Sequence, residues 1–187
     1  MDKDKELSKL KKKIYKLSKN FPKKNLVFAD GNQDAQVMII GEAPGKTEDK
    51  LQKPFVGRAG KLLDDLLGRV SLDRTKVYIT NVVNYRPDKN RKPNLLEINL
   101  FKKYLFQHIE IIKPKFILLL GSTAAEAVLD YQGPLKLIIG KFFEKKIINI
   151  TPIIMTVYHP AYLLRQPKNI KTVNKNLNNF RKYIKKI

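Results

Sequence analysis

The chain of 187 residues has no cysteine and no tryptophan, only two histidines, and 17 acidic residues against 38 lysines and arginines. Without cysteine there is no disulfide, no thiolate-bound zinc and no conventional iron–sulfur cluster, and two isolated histidines cannot build a metal cage. Metal-free chemistry without a cofactor is the expectation. Long apolar runs are missing as well: Phe116 to Leu120 and Pro152 to Val157 are among the longest, far below the ~18–20 residues of a membrane span. The N-terminus is charged where a signal peptide would be apolar. These features predict an intracellular protein, cytoplasmic or nucleoid-associated, with no membrane partner.

The shortage of acid leaves a formal charge of +21, and after Glu144 ten basic residues follow unopposed. A chain this rich in Lys, Asn and Ile looks like the product of an AT-rich genome, yet that bias would also raise Glu and does not by itself create the imbalance. A polyanionic partner accounts for it, with nucleic acid ahead of an anionic membrane surface. The hydrophobic content of 43% is enough for one sizeable core, so a single domain over 1–187 is expected.

Four short apolar runs, Val37 to Ile40, Val77 to Val83, Phe116 to Leu120 and Ile153 to Tyr158, suit strands buried on both faces. Helical patterns surround them. A basic amphipathic helix is expected over about 1–25, where Leu7, Leu10, Ile14 and Leu17 recur at three- and four-residue steps among ten lysines. Others are expected from Arg58 to Arg69, from Asn94 to Lys113, and from a capping box of Thr123 and Glu126 to Asp130. A basic C-terminal helix over about 168–187 carries the core stripe Ile170, Val173, Leu177, Phe180 and Ile184. Strands alternating with helices predict an α/β fold, a three-layer α/β/α domain around a parallel sheet. Ligands in such folds bind beyond the carboxyl ends of the strands, here Gly41 to Asp49, Thr80 to Pro87, Gly121 to Ala124 and Tyr158 to Arg165.

Gly41-Glu-Ala-Pro-Gly-Lys-Thr47 invites a phosphate-loop reading, but three residues separate its glycines where four are needed, and one of the three is a proline without an N–H. No later strand ends in an Asp that could hold magnesium, so an NTPase is a weak reading. The strand ends carry instead two acids, Glu42 and Glu48, an aromatic, Phe55, an amide, Asn81, and a histidine, His159. An amide can match the edge of a nucleobase, a ring can stack on its face, and an imidazole can donate to a developing anion. Each alone has an ordinary structural explanation; their shared placement in a very basic chain favours a site.

In order along the chain, Gly41-Glu-Ala-Pro-Gly-Lys-Thr-Glu-Asp49, Pro54-Phe-Val-Gly-Arg-Ala-Gly60, Tyr78-Ile-Thr-Asn-Val-Val83 with Arg86-Pro87, and His159-Pro-Ala-Tyr-Leu-Leu-Arg165 resemble the motifs of the family 4 uracil-DNA glycosylases. The likeness runs from about Val27 to Arg165. It implies the uracil glycosylase fold, with a central four-stranded parallel sheet, and hydrolysis of the bond between uracil and deoxyribose in DNA. It further implies that Phe55 stacks on a flipped uracil and that Asn81 reads its Watson–Crick edge. His159 would stabilise charge on uracil O2, and Glu42 would position water or stabilise the cationic sugar. Gly41 and Ala43 would help form the base site, Glu48 would line it against a thymine methyl, and Leu163, Leu164 and Arg165 would sit on a loop that wedges into the gap left by the base. The implied partner is uracil-containing DNA, single- or double-stranded, acted on by a monomer, with a replication or repair protein as a further candidate partner. The alternative is a catalytically weak DNA-binding module of the same fold.

The sequence departs from the family's pattern in two places. The family's four-cysteine iron–sulfur set is replaced: the corresponding positions read Tyr85, Phe101 and, by looser alignment, Ser18 and Phe21. Packing among Phe21, Tyr85 and Phe101 is expected to staple the N-terminal helix in place of a cluster. In the related crosslinking glycosylases a Gln stands where this chain has Ala43, and a basic, histidine-bearing insertion follows the Arg-Ala-Gly segment. Here Ala59-Gly60 runs straight into the leucine helix, which predicts turnover without covalent capture of DNA.

Overall fold

The computed structural model describes residues 2–185. Met1, Lys186 and Ile187, the tips of the two expected basic helices, lie outside the described residues.

In chain order the elements are α1 (Lys3–Tyr15), β1 (Asp30–Gly31), β2 (Val37–Gly41), α2 (Lys46–Leu51), α3 (Arg58–Gly68), β3 (Val77–Asn81) and α4 (Leu95–Ile112). There follow β4 (Phe116–Leu120), α5 (Ser122–Leu129), β5 (Phe142–Glu144), β6 (Ile153–Val157), α6 (Pro160–Arg165) and α7 (Ile170–Ile184). The four apolar runs became β2, β3, β4 and β6, which pair in parallel as β3-β2-β4-β6. The sheet as a whole is a correction to the expected four parallel strands. It is mixed and six-stranded, in the order β1-β3-β2-β4-β6-β5, with β1 and β5 antiparallel on its two edges. These edge strands are two and three residues long, too short to show an apolar alternation.

Side chains alternate along each central strand between two cores. Met38, Ile40, Ile117 and Leu119 pack with residues of α1, α4 and α5 on one face. Val37, Ile39, Leu118 and Val157 pack with α3, α6 and α7 on the other.

The N-terminal helix is shorter than its periodicity implied. After Tyr15 the chain tightens to a 3₁₀ turn over Lys16–Asn20, and Phe21, at φ −131° and ψ 65°, has left the helix, as a residue before proline is pressed to do. Its ring then joins a cluster of three. Phe21 stacks on Tyr85 with centroids 4.9 Å apart and an interplanar angle of 4°, while Phe101 lies 5.7 Å from Phe21 and 6.2 Å from Tyr85. Three buried rings occupy positions where the family's pattern would place thiolates. They bring no metal-ligating atom to a common point, so these residues do not fit an iron–sulfur cluster. Leu10 and Ile14 complete the seam between α1 and the body.

The capping box expected from Thr123 and Glu126 is absent. Helix α5 starts two residues earlier, with Gly121 at its N-cap and no side-chain cap, and the Thr123 hydroxyl instead donates to Glu42. A reciprocal box forms instead at Asn94 and Glu97, which start α4. Among the described residues no helix is long and apolar enough to cross a membrane.

Candidate active site

The carboxyl ends of β2, β3, β4 and β6 open into one cavity of about 920 Å³, lined among others by Glu42, Phe55, Asn81, Gly121 and His159. The β2–β3 ladder continues past the strand ends, with the Val82 and Val83 amides donating to the carbonyls of Gly41 and Glu42 at 2.9 and 3.1 Å. That extension holds Glu42 alongside the residues after Asn81. The Glu42 carboxylate accepts from the Thr123 hydroxyl of α5, which leaves its other oxygen uncommitted among the described residues.

Asn81 is 3% exposed, and among the described residues its Oδ1 is buried with no hydrogen-bond partner. An orphaned buried acceptor costs about 1–3 kcal/mol, a penalty that a donor entering the cavity would remove. Gly41 lies directly behind it. A Cβ there would overlap both Asn81 Oδ1 and the Phe55 ring, so Gly41 serves by allowing these two side chains to approach one another. Ala43 lines the cavity itself.

Phe55 has a left-handed backbone, φ 54°, a conformation costly for a bulky residue and found where surrounding structure enforces it. Gly60 of α3 makes room, since a Cβ there would strike the Phe55 carbonyl. Glu48 pins the same loop. Its carboxylate accepts from the amides of Gly45 (3.2 Å), Val56 (3.1 Å) and Gly57 (2.7 Å). Glu48 thus lines the cavity, as expected, and its carboxylate also holds the loop that carries Phe55.

His159 follows β6 and caps α6: its Nδ1 accepts from the Ala161 amide at 3.1 Å. This places the ring proton on Nε2. Burial, with the nearby charge of Arg165 second, holds the imidazole down to about 4, so it is neutral at physiological pH. Its ring centroid is 5.8 Å from that of Phe55.

The segment expected to be a wedging loop is the short helix α6. Leu163 is fully buried in the core shared with α3 and α7, which corrects its assignment to the DNA: an apolar side chain at that helical position faces inward. Leu164 is 40% exposed, and Arg165 lines the cavity. Sequence reasoning missed three further cations in the lining, Arg91, Lys92 and Lys136. Arg91 is held by Glu97, whereas Lys136 and Arg165 make no ion pair among the described residues. Among the described residues no three His, Asp or Glu side chains converge to hold a metal ion.

The model of the uracil DNA glycosylase superfamily matches residues 28–187. The chain is 40% identical over 166 residues to a type-4 uracil-DNA glycosylase of Pyrobaculum aerophilum, covering 83% of this chain and 85% of the relative. It is 37% identical over 150 residues to one of Archaeoglobus fulgidus (78% and 75% covered) and 39% identical over 152 residues to one of Thermotoga maritima (78% and 74%). The cavity, its four converging strand ends and these likenesses agree: the chain belongs to the uracil-DNA glycosylase superfamily.

Proposed function

We propose that the protein is a DNA repair glycosylase that hydrolyses the N-glycosidic bond of uracil in DNA, releasing uracil and leaving an abasic site. The observation that carries this reading is the buried, partnerless Asn81 Oδ1 beside the Phe55 ring. Uracil N3–H is the donor such an acceptor needs, at the ring position where cytosine presents a lone pair instead.

In this reading a uracil extruded from the strand stacks on Phe55 and meets Asn81 along its Watson–Crick edge. Flipping costs a few kcal/mol. As the C1′–N1 bond breaks, its electron pair leaves with uracil and spreads onto O2, towards the Nε2–H of neutral His159. A donor placed for a developing anion contributes about 3 kcal/mol, and a neutral imidazole can donate without first taking a proton. The sugar meanwhile gains positive charge. Glu42, steadied by Thr123, either positions the water or stabilises that cation; the water oxygen bonds to C1′, and the proton it loses balances the one uracil takes up. The protein works as a monomer wherever the cell keeps its DNA. Glu48, which lines the cavity, and the loop it pins form the wall that a 5-methyl group would meet.

The test is incubation with a single-uracil oligonucleotide, with uracil opposite guanine, opposite adenine or unpaired, followed by alkali. Strand cleavage is expected, with most of it lost in Asn81→Ala. No cleavage at micromolar enzyme would reject the glycosylase in favour of a DNA-binding module of the same fold.

A further inference from the structure

We propose that Arg74, which precedes β3 and lies outside every motif of the site, is the positioning residue that holds Phe55 in its left-handed conformation and so sets the stacking face of the pocket. The inference rests on the reading of Phe55 as the base-stacking ring. The guanidinium donates from Nη1 to the Pro54 carbonyl at 3.2 Å and from Nη2 to the Phe55 carbonyl. Two carboxylates aim it: Asp30 accepts from Nη1 at 2.8 Å and Asp64 from Nε at 3.0 Å. Arg74 therefore ties three pieces of chain, β1, α3 and the Phe55 loop, around one planar fork.

Each part of that arrangement is needed for the next. Edge strand β1 sets Asp30 opposite Ile79 of β3, and Gly31 permits this only because it has no Cβ, which would collide with the Val77 carbonyl at its φ of 99°. A two-residue strand adds little to the sheet, but it delivers a carboxylate to Arg74. The Phe55 carbonyl has little other room, lying close over Gly60. A guanidinium with five donors in a fixed plane can serve two carbonyls and two carboxylates together; a lysine ammonium, with three donors at a single point, cannot. Phe55 is thus the ring whose backbone is both strained and clamped, as expected where pre-organised geometry is the purpose.

The chain's two histidines supply a direct readout. His159 faces the Phe55 ring, while His108 lies in the opposite core against Phe28 and Tyr78. In Arg74→Gln the His159 Hε1 proton resonance is expected to shift as Phe55 moves, while that of His108 stays in place and shows that the fold persists. Uracil release should fall about 100-fold, the cost of an ångström-scale misplacement. In a Phe55→Ala background Arg74→Gln should add no further loss, because both changes act through one ring. Arg74→Lys, which keeps the charge, should show the same pattern in weaker form, and it carries both readouts if Arg74→Gln does not fold. An unshifted His159 resonance in a folded variant, or additive losses in the double variant, overturns the assignment. The resonance needs no substrate, so it decides the role of Arg74 even if the parent protein releases no uracil.

Discussion

The Ala161 amide donates to His159 Nδ1 at 3.1 Å, and this bond decides which ring nitrogen can act. A second proton would have to enter at Nδ1, against the amide hydrogen, in a buried place with Arg165 nearby. Burial first, and the charge of Arg165 second, hold the imidazole down to about 4, and the ring already carries on Nε2 the hydrogen it would offer to uracil O2. The midpoint of the His159 resonance on acid titration should lie near that value, and uracil release should show no gain as pH falls through 6.5. A midpoint at 6.5 would mean that the ring is solvated and free of Ala161. Stability follows the same sign. His108, bonded through Nε2 to the Tyr78 hydroxyl at 2.6 Å, is held by burial to about 3. Below pH 6.5 the unfolded chain takes up protons at both histidines that the folded chain refuses. Stability is therefore lost from pH 6.5 down to about 4 for His159 and about 3 for His108, at up to about 1.4 kcal/mol per pH unit for each. A melting temperature that fails to drop between pH 6.5 and 4.5 would contradict this.

At the scale of elements, the aromatic cluster links α1, the segment after β3, and α4 through Phe21, Tyr85 and Phe101. Phe101 is fully buried, so Phe101→Ala should destabilise the fold by about 3–5 kcal/mol and expose the segment around Pro22 to protease first. Denaturant unfolding and limited proteolysis measure both effects, and a loss below about 1 kcal/mol would deny the rings their stapling role. Purified protein should also hold no stoichiometric iron, since no thiolate is present to bind it. This cluster was legible in the sequence because three large side chains stood at corresponding positions of one motif pattern. The central strands were legible for a related reason: burial on both faces leaves an unbroken apolar run. Strands β1 and β5 were not, because two or three residues carry no periodicity and their pairing is imposed by the strands beside them. Glu48 and Thr123 illustrate a further limit. Glu48 was expected in the pocket lining and Thr123 in a helix cap, but a carboxylate or a hydroxyl can serve backbone, side chain or ligand, and only the folded chain selects among them. Arg74 gave no local signal at all, since its partners lie at sequence separations of 10 to 44 residues.

For the molecule as a whole, a formal charge of +21 acts through released counterions as well as through individual contacts. Two groups of cations divide that work differently. Lys136 and Arg165 line the cavity and would meet phosphates flanking the extruded base, so replacing them should weaken binding and slow uracil release together. Lys171, Lys175 and Lys182 are exposed on α7, whose Val173, Leu177 and Phe180 are buried. Their charge is available to DNA but has no path to the chemistry. Each phosphate neutralised on duplex DNA contributes about 0.9 to the steepness of log affinity against log salt. The triple variant Lys171→Gln, Lys175→Gln, Lys182→Gln should therefore flatten that slope by up to about 3 if all three touch phosphate, while the preference for uracil over cytosine stays unchanged, because the proposed reading gives base choice to Asn81 and Phe55. Titrations of duplex binding over a range of salt concentrations, paired with single-turnover release, separate the two groups. An unchanged slope would place α7 away from the DNA, and a changed base preference would mean that the helix reaches the pocket.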